Sequence, residues 1–270
     1  MEKEVTLQEI QQITSKILET FDLFCSKKEI CYYLAYGTLL GAIRHDGFIP
    51  WDDDIDVLIP RKDYEKLLKE EYIDSDRRYR IIGSHNIDNW PYAFAKCIDT
   101  QTELLETDFN SGAIGVYIDL FPLDGLPNGR LMQKMHMKWV YFWHYMLITL
   151  QKKELKGSSK IRTIIKHIVY PLTSKIGVKK LVAIINKNGK RYPFSESKYV
   201  ASQMVSVYGM RECMNAEWFA DRERHKFENF DVWIPSGYDS ILKSLYREYM
   251  KLPPEEKRIT HHIYNVRFKD

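Results

Sequence analysis

A cluster of aspartates in front of an apolar segment constrains this chain more than any other feature. Four carboxylates fall within five residues, at Asp52, Asp53, Asp54 and Asp56. The segment that follows them, 57–59, is apolar and rich in β-branched residues. Carboxylates this close repel one another, which is costly unless water surrounds them or they share a cation. The chain must therefore place a strand beside a hydrated or cation-binding surface.

The spacing of the last two aspartates predicts a strand with both carboxylates on one face. Side chains alternate along a strand, so Asp54 and Asp56 point the same way and their apolar neighbours point into the core. Such a pair suits a hard divalent cation, Mg²⁺ or Mn²⁺. A solvated acidic turn is the simpler alternative for an isolated Asp-x-Asp. A calcium-binding EF-hand loop is excluded, because its sixth position requires Gly and Val57 stands there.

A second signal lies upstream, where Gly37-Thr38 separates two predicted elements. Residues 30–36 are typical of a strand, and residues 39–45 of a short helix with Arg44 at its basic end. Backbone N–H groups, a hydroxyl and a helix N-terminus in one place predict a phosphate-binding turn. Glycine there lets the backbone approach a phosphate closely. Gly-Thr turns without a ligand are also common.

Two further charged residues lie in apolar segments. Asp119 falls within the predicted strand 113–120. A buried carboxylate requires a partner, so we expect Asp119 to complete the acidic site, with a turn-capping role beside Asp124 as the alternative. Lys96 interrupts the strand-like segment 92–98. It is either a phosphate ligand facing the carboxylates or an edge-strand lysine that reaches water.

Length and composition fit one large domain or a domain with a helical extension. The 270 residues are 44% hydrophobic and 29% charged, which is ordinary for a globular chain. The pattern changes after residue 127, because residues 130–150 and 160–188 both have helical periodicity. We expect a catalytic core over 1–127. A mainly helical extension over 128–270 would pack on the core and contribute to the donor and acceptor cleft.

Charge is unevenly distributed along the chain. The net charge is +3, but residues 151–200 contain 13 Lys and Arg against 2 Asp and Glu. Such a basic segment predicts an anionic partner, either a membrane surface, a phosphate-rich polymer or nucleic acid. A solvated, lysine-rich helix surface is the alternative. The apolar run 139–150 is too short to span a bilayer, and we expect it to form a buried helix rather than one at a membrane interface.

Cysteine usage favours a reducing compartment. The cysteines form no CxxC pair and no zinc spacing, and they are Cys25, Cys31, Cys97 and Cys213. The charged N-terminus has no signal-peptide pattern. We therefore expect a cytoplasmic protein, with peripheral contact at the inner face of an anionic membrane through the basic segment.

Three motifs together resemble the nucleotidyltransferase superfamily: a Gly-Thr after one strand, an Asp-x-Asp on the next and a single Asp on a later strand. The chain is similar to one branch of it, the LicD family of phosphotransferases, with the fukutin-related proteins as more distant kin. The segments that carry the resemblance are 36–45, 47–57, 61–64, 118–125 and 252–258. In the last helix the family has a Tyr-Gly-Asp-Tyr-like run, where this chain has Tyr-Arg-Glu-Tyr at 246–249.

The resemblance implies an α+β fold with a nucleotidyltransferase-like mixed β-sheet core flanked by helices. It also implies a phosphotransferase that moves phosphocholine from CDP-choline to a sugar hydroxyl of a lipid-linked teichoic acid or lipopolysaccharide precursor. On this hypothesis Asp54, Asp56 and Asp119 hold Mg²⁺ and carry the catalysis, with Asp52 as a further ligand candidate. Nucleic acid is not an expected partner of such an enzyme.

The remaining candidates are grouped by the ligand they suit. The candidates for phosphate or nucleotide binding are Gly37, Thr38, Arg44, Lys96, Arg258 and His261. The last two contribute only if the C-terminal segment folds back over the cleft. A quaternary ammonium is bound by aromatic rings, and the rings next to the motifs are Trp51, Trp90, Tyr92 and Tyr117. Ordinary core packing is the alternative for each ring.

Other interpretations of the motifs are open at this stage. The same carboxylates would serve transfer of glycerol phosphate or ribitol phosphate from the corresponding CDP-alcohol. A glycosyltransferase with an Asp-x-Asp metal site is a further alternative, but it requires neither a Gly-Thr sixteen residues before Asp54 nor the later Asp119. A membrane-binding or nucleic-acid-binding module built on residues 151–200 would leave the acidic cluster unexplained.

Overall fold

The strand that follows the aspartates lies at the centre of a mixed β-sheet. The computed structural model of the chain describes residues 5–106, 113–151, 160–203, 208–260 and 264–269. The helices within these residues are α1 Leu7–Lys27, α2 Tyr36–His45, α3 Arg61–Leu67, α4 Arg130–Gln151, α5 Lys160–Ile176, α6 Val178–Gly189 and α7 Tyr238–Tyr246. The strands are β1 Tyr33–Leu34, β2 Asp56–Pro60, β3 Tyr79–Ile82, β4 Ala95–Asp99, β5 Thr102–Glu106, β6 Ala113–Ile114, β7 Tyr117–Leu126, β8 Tyr199–Ser202, β9 Met214–Asn215, β10 Arg222–Phe227, β11 Phe230–Pro235 and β12 Tyr264–Phe268.

The largest sheet is organised around β2 and β7. Its order is β1-β2-β7-β4-β3, and β8 pairs with the later part of β7. β2 and β7 run parallel, whereas β7 is antiparallel to both β4 and β8. Val57, Ile118 and Leu120 on the two central strands are completely buried. A mixed sheet surrounded by helices confirms the α+β class.

Helix α1 packs against this sheet. Its first turn is closed by a capping box, in which Thr6 accepts the N–H of Glu9 and the Glu9 carboxylate accepts the N–H of Thr6. Ile17, Leu18 and Phe21 on its inner side are completely buried, and α1 contacts β4, β7 and β11. Burial of each such side chain contributes roughly 2 kcal/mol to folding.

Strand β7 is longer than the sequence pattern predicts. The pattern predicts an end at Leu120, but β7 continues to Leu126. β8 supplies backbone partners for residues 123–126, and Arg61 neutralises the buried carboxylate of Asp124. Because Asp124 lies inside the strand, the turn expected there, and with it the capping role considered for Asp119, is wrong.

The chain after residue 127 combines helices and strands. α4, α5 and α6 pack on one another, as a helical extension predicts. The expectation has to be corrected for the strands: β8 and β9 join the main sheet, β10 and β11 form a hairpin against β1, and β12 pairs with β5. Five of the six residues of β10 are polar, so its sequence lacks strand alternation. The division after residue 127 stays a prediction, although β8 crosses it by pairing with β7.

The apolar run 139–150 lies in α4 and is only partly buried. Val140, Met146 and Leu147 are buried, whereas Trp139 and Phe142 are half exposed. The expectation of a buried helix is therefore wrong for the outer side of α4. Within the described ranges, no helix combines the length and apolar character needed to cross a membrane.

An ion pair between Arg61 and Asp124 joins three elements of the fold. The Arg61 guanidinium donates from Nε to Asp124 Oδ1 at 2.7 Å and from Nη2 to Oδ2 at 2.6 Å. Its third nitrogen donates to Asn186 Oδ1 at 3.3 Å. The two-point bond connects α3 to β7, and Asn186 adds α6. Removing one partner would leave the other charge buried without compensation.

We expect Asp124→Ala to lower the free energy of unfolding by about 3–5 kcal/mol, because the Arg61 guanidinium would lose its counter-charge. Urea unfolding followed by circular dichroism measures the change. The matched control is Glu19→Ala, which removes an exposed pair with Lys16 and should cost less than about 1 kcal/mol. Equal effects in the two variants would contradict the structural role of the buried pair.

Candidate active site

Three charged residues lie side by side on neighbouring strands. The parallel register of β2 and β7 pairs Asp56 with Asp119, and the antiparallel register of β4 and β7 pairs Lys96 with Asp119. Residues directly opposite each other on adjacent strands present their side chains on the same face. Lys96 Nζ lies 2.7 Å from Asp119 Oδ1. The fold therefore brings Asp119 beside the Asp-x-Asp segment.

Lys96 is buried in the sheet and does not lie on its edge. Its side chain is 2% exposed, and β4 has a neighbouring strand on each side. Its ammonium lies 4.7 Å from the ring centroid of Tyr92 and 3.3 Å from that of Tyr117. These rings and the Asp119 carboxylate replace water around the charge. The edge-strand alternative is therefore wrong, and a direct contact of Lys96 with phosphate stays a prediction.

Lys96 offsets only part of the negative charge around Asp56. Burial raises the pKa of Asp56 well above its usual range, and the charges of Asp54, Asp119 and Asp52 raise it further. The ammonium of Lys96 acts in the opposite direction. Repulsion among close carboxylates is relieved when they share a cation. The electrostatics of this site thus favour a bound positive charge.

The aspartates before β2 are arranged so that they fit a hard metal ion. One carboxylate oxygen from each of Asp52, Asp53 and Asp54 lies within 4.8 Å of the other two. Carboxylate oxygens are the ligands that Mg²⁺ and Mn²⁺ prefer. Asp53, which the sequence reasoning assigned no role, is nearly completely buried within this group. Among the described residues, this group shares Asp54 and Asp52 with the predicted metal ligands and does not include Asp56 or Asp119. Its carboxylates have the chemistry that such a metal requires, and the predicted set of ligands stays a prediction.

A cavity of ≈ 430 Å³ opens beside these carboxylates. Asp52, Asp54 and Asp56 line one part of its wall. The rest of the wall is mainly aromatic and aliphatic, and consists of Tyr36, Gly37, Leu40, Ile49, Trp51, Phe121, Tyr208 and Tyr246. The volume lies in the range of small-molecule sites, which commonly combine apolar walls with a few polar groups.

Three tyrosines in this wall support one another. The rings of Tyr36 and Tyr208 stack with centroids 5.9 Å apart and planes 15° apart. The Tyr208 hydroxyl donates to the Tyr246 hydroxyl at 2.9 Å. Tyr36 has φ of 44°, a left-handed conformation that is strained for a residue with a large side chain and that clusters at functional sites. The aromatic wall is thus held in place by ring packing and hydrogen bonding.

Gly37 and Thr38 lie in the first turn of α2, so the predicted arrangement of strand, turn and helix is wrong here. α2 already begins at Tyr36, and β1 is only two residues long. Gly37 lines the cavity, and a Cβ at this position would lie 2.7 Å from Asp52 Oδ2. The Thr38 hydroxyl accepts the N–H of Asp56 at 2.8 Å and thereby fixes the start of β2. The first-turn N–H groups of a helix lack acceptors within the helix, so a phosphate contact at Gly37 stays a prediction.

The other basic candidates for phosphate binding are Arg44, Arg258 and His261, and their surroundings differ. Arg44 donates to the Tyr249 carbonyl at 2.8 Å and to His45 Nε2 at 3.0 Å, and it does not belong to the described cavity wall. The Arg258 guanidinium lies 5.7 Å from the ring centroid of Trp51. Arg258 therefore lies next to one residue of the cavity wall but does not itself line the described cavity, so its contact with phosphate stays a prediction. His261 lies outside the described residues.

The expected set of rings for a quaternary ammonium has to be corrected. Of the four predicted rings, Trp51 is the one that lines the described cavity. Trp90 is buried in the core, where its indole N–H donates to the carbonyl of Phe94 at 2.7 Å. Tyr92 and Tyr117 lie against the Lys96 ammonium. These three rings therefore stabilise the core and an internal charge.

Sequence reasoning missed most of the aromatic wall. Tyr36 and Phe121 belong to motif segments, and Tyr246 begins the run in which this chain departs from the family pattern. A search restricted to tyrosines within motifs would have found the first and the third. Tyr208 has no such signal, because it lies far from every motif and reaches the cavity only through the tertiary fold.

Asp56 and Asp119 lie opposite each other on adjacent parallel strands, and Asp54 precedes the first of these strands. Together with a cavity of ligand size beside Asp54 and Asp56, this arrangement is typical of a nucleotidyltransferase-type enzyme. The family described as "LicD/FKTN/FKRP, nucleotidyltransferase domain" matches residues 29–174. The chain belongs to the LicD family and is a phosphotransferase.

Similar proteins extend this assignment beyond the matched domain. The chain is 31% identical over 269 residues to the "Lipopolysaccharide cholinephosphotransferase LicD" of Haemophilus influenzae, and the match covers 97% of each chain. Uncharacterized proteins of Rickettsia prowazekii and Rickettsia typhi are 39% identical over 61 residues, which is 23% of this chain and 20% and 18% of theirs. The family relationship therefore includes the portion after residue 174.

Glu212 adjoins the aromatic wall and is completely buried. One carboxylate oxygen accepts the N–H of Tyr208 at 3.0 Å, and the other, Oε2, has no hydrogen-bond partner in the described part of the chain. Burial raises the pKa of Glu212 to about 8, against the opposing effects of the Tyr208 N–H and the Arg211 charge. The group is therefore protonated at neutral pH.

We expect Glu212→Gln to stabilise the protein at high pH. The unfolded chain loses this proton near pH 4.5, whereas the folded chain keeps it up to about pH 8, so the stability of the parent falls as the pH rises between these values. The amide does not titrate, so the stability of the variant relative to the parent should increase by ~5 kcal/mol between pH 4.5 and pH 8. Urea unfolding across the range measures the difference.

The control for this titration is Glu196→Gln, which changes an exposed carboxylate. Its stability should follow that of the parent at every pH. A difference between Glu212→Gln and the parent that is independent of pH would refute the raised pKa of Glu212.

Proposed function

We propose that this enzyme transfers phosphocholine from CDP-choline to a sugar hydroxyl of a cell-surface glycan precursor, such as a teichoic acid or lipopolysaccharide. One observation carries the proposal: a single cavity is lined both by carboxylates and by aromatic rings. A CDP-choline molecule has a matching division, with a diphosphate that binds divalent cations and a quaternary ammonium that binds aromatic faces. The similarity to the Haemophilus influenzae protein supports the same donor class.

The carboxylates supply the polar half of this site. Asp54 and Asp56 would hold Mg²⁺, or Mn²⁺ in its place, with Asp119 and Asp52 as the further ligands. A bound divalent cation offsets the charge that develops on the phosphoryl group and on the leaving CMP. Lys96 would orient Asp119 through their 2.7 Å contact.

The reaction forms one P–O bond, breaks another and transfers one proton to a group of this chain. A sugar hydroxyl oxygen attacks the phosphorus that carries choline, a new P–O bond forms, and the bond from that phosphorus to the bridging oxygen breaks as CMP leaves. A carboxylate beside this centre, Asp119 or a neighbour, accepts the hydroxyl proton. The N–H of Gly37 at the start of α2 would bind a phosphate oxygen. Arg258 would add positive charge from the side of Trp51.

The aromatic wall favours choline over other alcohols. Glycerol phosphate and ribitol phosphate carry hydroxyl groups, which gain little from rings such as Trp51, Tyr36 and Tyr208. A quaternary ammonium cannot donate hydrogen bonds and is recognised mainly through such faces. A nucleotide-sugar glycosyltransferase would likewise place a polar sugar against this wall.

The acceptor and the cellular location belong to the same proposal. A glycan precursor assembled on a lipid carrier requires the enzyme to work at the inner face of the membrane, from the cytoplasm. The basic segment 151–200, with 13 Lys and Arg against 2 Asp and Glu, would attract such an anionic surface. Nucleic acid has no role in this reaction.

We expect Asp54→Asn and Asp56→Asn each to lower CMP release from CDP-choline by two to three orders of magnitude, because each removes a charge next to the phosphoryl group. The assay uses purified protein, Mg²⁺ and a glycan acceptor. EDTA should abolish CMP release and added Mg²⁺ should restore it. The matched control is Asp88→Asn, a carboxylate that is 91% exposed. Turnover like that of the parent in Asp54→Asn or Asp56→Asn would remove the basis for the metal site.

We expect Trp51→Ala to raise KM for CDP-choline about tenfold, because a cation held against an aromatic face gains ~1–2 kcal/mol. KM for CDP-glycerol, where it is turned over, should change little. Phe268→Ala, which alters an exposed ring on β12, is the control.

Turnover of CDP-glycerol or CDP-ribitol without turnover of CDP-choline would refute the donor and leave the phosphotransferase class intact. Turnover of a nucleotide sugar instead would refute both the donor and the reaction.

A further inference from the structure

The outer side of α4 exposes a continuous apolar stripe. Leu131, Met135, Trp139 and Phe142 are 71%, 58%, 50% and 46% exposed. They are three or four residues apart, so they lie along one line of the helix. The opposite side of α4 is anchored in the protein by buried residues such as Val140. The stripe is therefore a fixed surface of a folded helix and not the edge of a loose segment.

Aromatic contacts organise the middle of this stripe. The rings of Trp139 and Phe142 stack with centroids 5.9 Å apart. Trp143, which is half-buried, meets both rings edge-on at 5.3 Å and 5.2 Å. Tryptophan and phenylalanine side chains grouped in this way are enriched at the boundary between lipid headgroups and acyl chains.

Helix α5 carries further exposed apolar residues. It packs along α4, and its residues Ile164 and Ile168, one turn apart, are 59% and 70% exposed. Exposed apolar side chains scattered singly are normal on a protein surface, whereas a group spread over two packed helices marks an interaction site.

The charged residues on the helices around the stripe are all basic. Arg130, Lys134 and Lys138 are exposed on α4. At about 100° per residue, they follow one flank of the apolar line. α4, α5 and α6 contain no Asp or Glu. An apolar face with a purely cationic flank is complementary to an anionic lipid surface, where each lysine or arginine near the headgroups contributes favourably.

We propose that the outer face of α4 and α5 docks on an anionic lipid bilayer, with Trp139 and Phe142 at the level of the acyl boundary and the lysines among the headgroups. A second copy of the chain would not be attracted by this flank, since the same cationic surface would face itself across a symmetric interface. This surface is independent of the donor and of the reaction, because binding to vesicles requires no turnover.

The test is flotation of the full chain with vesicles of phosphatidylcholine alone and of phosphatidylcholine with phosphatidylglycerol. We expect binding to the anionic vesicles that weakens at high salt. Trp139→Gln with Phe142→Gln should weaken it about tenfold or more. Lys134→Glu with Lys138→Glu should remove the preference for anionic over neutral vesicles. The matched control is Leu23→Gln with Met250→Gln, which replaces apolar residues exposed elsewhere, at 66% and 59%.

The variants also need a readout of folding and of assembly. CMP release without vesicles and urea unfolding should match the parent for every variant, since none of these residues lines the cavity. Vesicle binding by Trp139→Gln/Phe142→Gln equal to that of the parent would overturn the proposal. So would light scattering that shows a dimer of the parent and a monomer of this variant, because the face would then belong to a second copy.

Discussion

The buried contact between Asp119 and Lys96 is the interaction on which the site depends. A carboxylate in a central strand requires a counter-charge, and the neighbouring strand β4 supplies it. This pair, however, does not neutralise the whole cluster. The raised pKa of Asp56 reflects burial and the charges of nearby aspartates that Lys96 offsets only in part. The sheet therefore concentrates residual negative charge at the cavity wall, which favours a cation at that position.

Strand β7 carries two ion pairs, and they lie on opposite faces of the strand. Asp119 and Asp124 are an odd number of residues apart in one regular strand, so their side chains leave from opposite faces. Asp119 meets Lys96 on the face that also carries Asp56, and Asp124 meets Arg61 on the side of α3 and α6. The ion pair between Asp124 and Arg61 restricts the movement of β7, and therefore also the movement of Asp119 on its other face. Precise placement of charged groups is what catalysis by electrostatic stabilisation requires.

The sequence allowed us to predict two kinds of residue. The first has its partners close by in the sequence, and the second carries a charge within an apolar segment. Asp54, Asp56 and Asp119 were selected because carboxylates beside apolar strand residues need a partner, and the structure places Asp56 opposite Asp119. The α+β class followed from the family resemblance of the same motifs. The extension of β7 was missed because it depends on Arg61, a residue distant in sequence. The placement of Gly37 was missed because α2 begins earlier than strand periodicity suggested. The rings around Lys96 were assigned to a ligand because an internal cation and an external one prefer the same aromatic faces.

The order of residues around the cavity has a consequence for biosynthesis. The acidic wall comes from the first quarter of the chain, whereas Tyr208 and Tyr246 come from its last quarter. A ribosome therefore releases the acidic part of the cavity wall long before these two tyrosines. β8, which must return to pair with β7, also emerges late. A nascent chain therefore carries the carboxylates of the cavity before the residues that complete its wall.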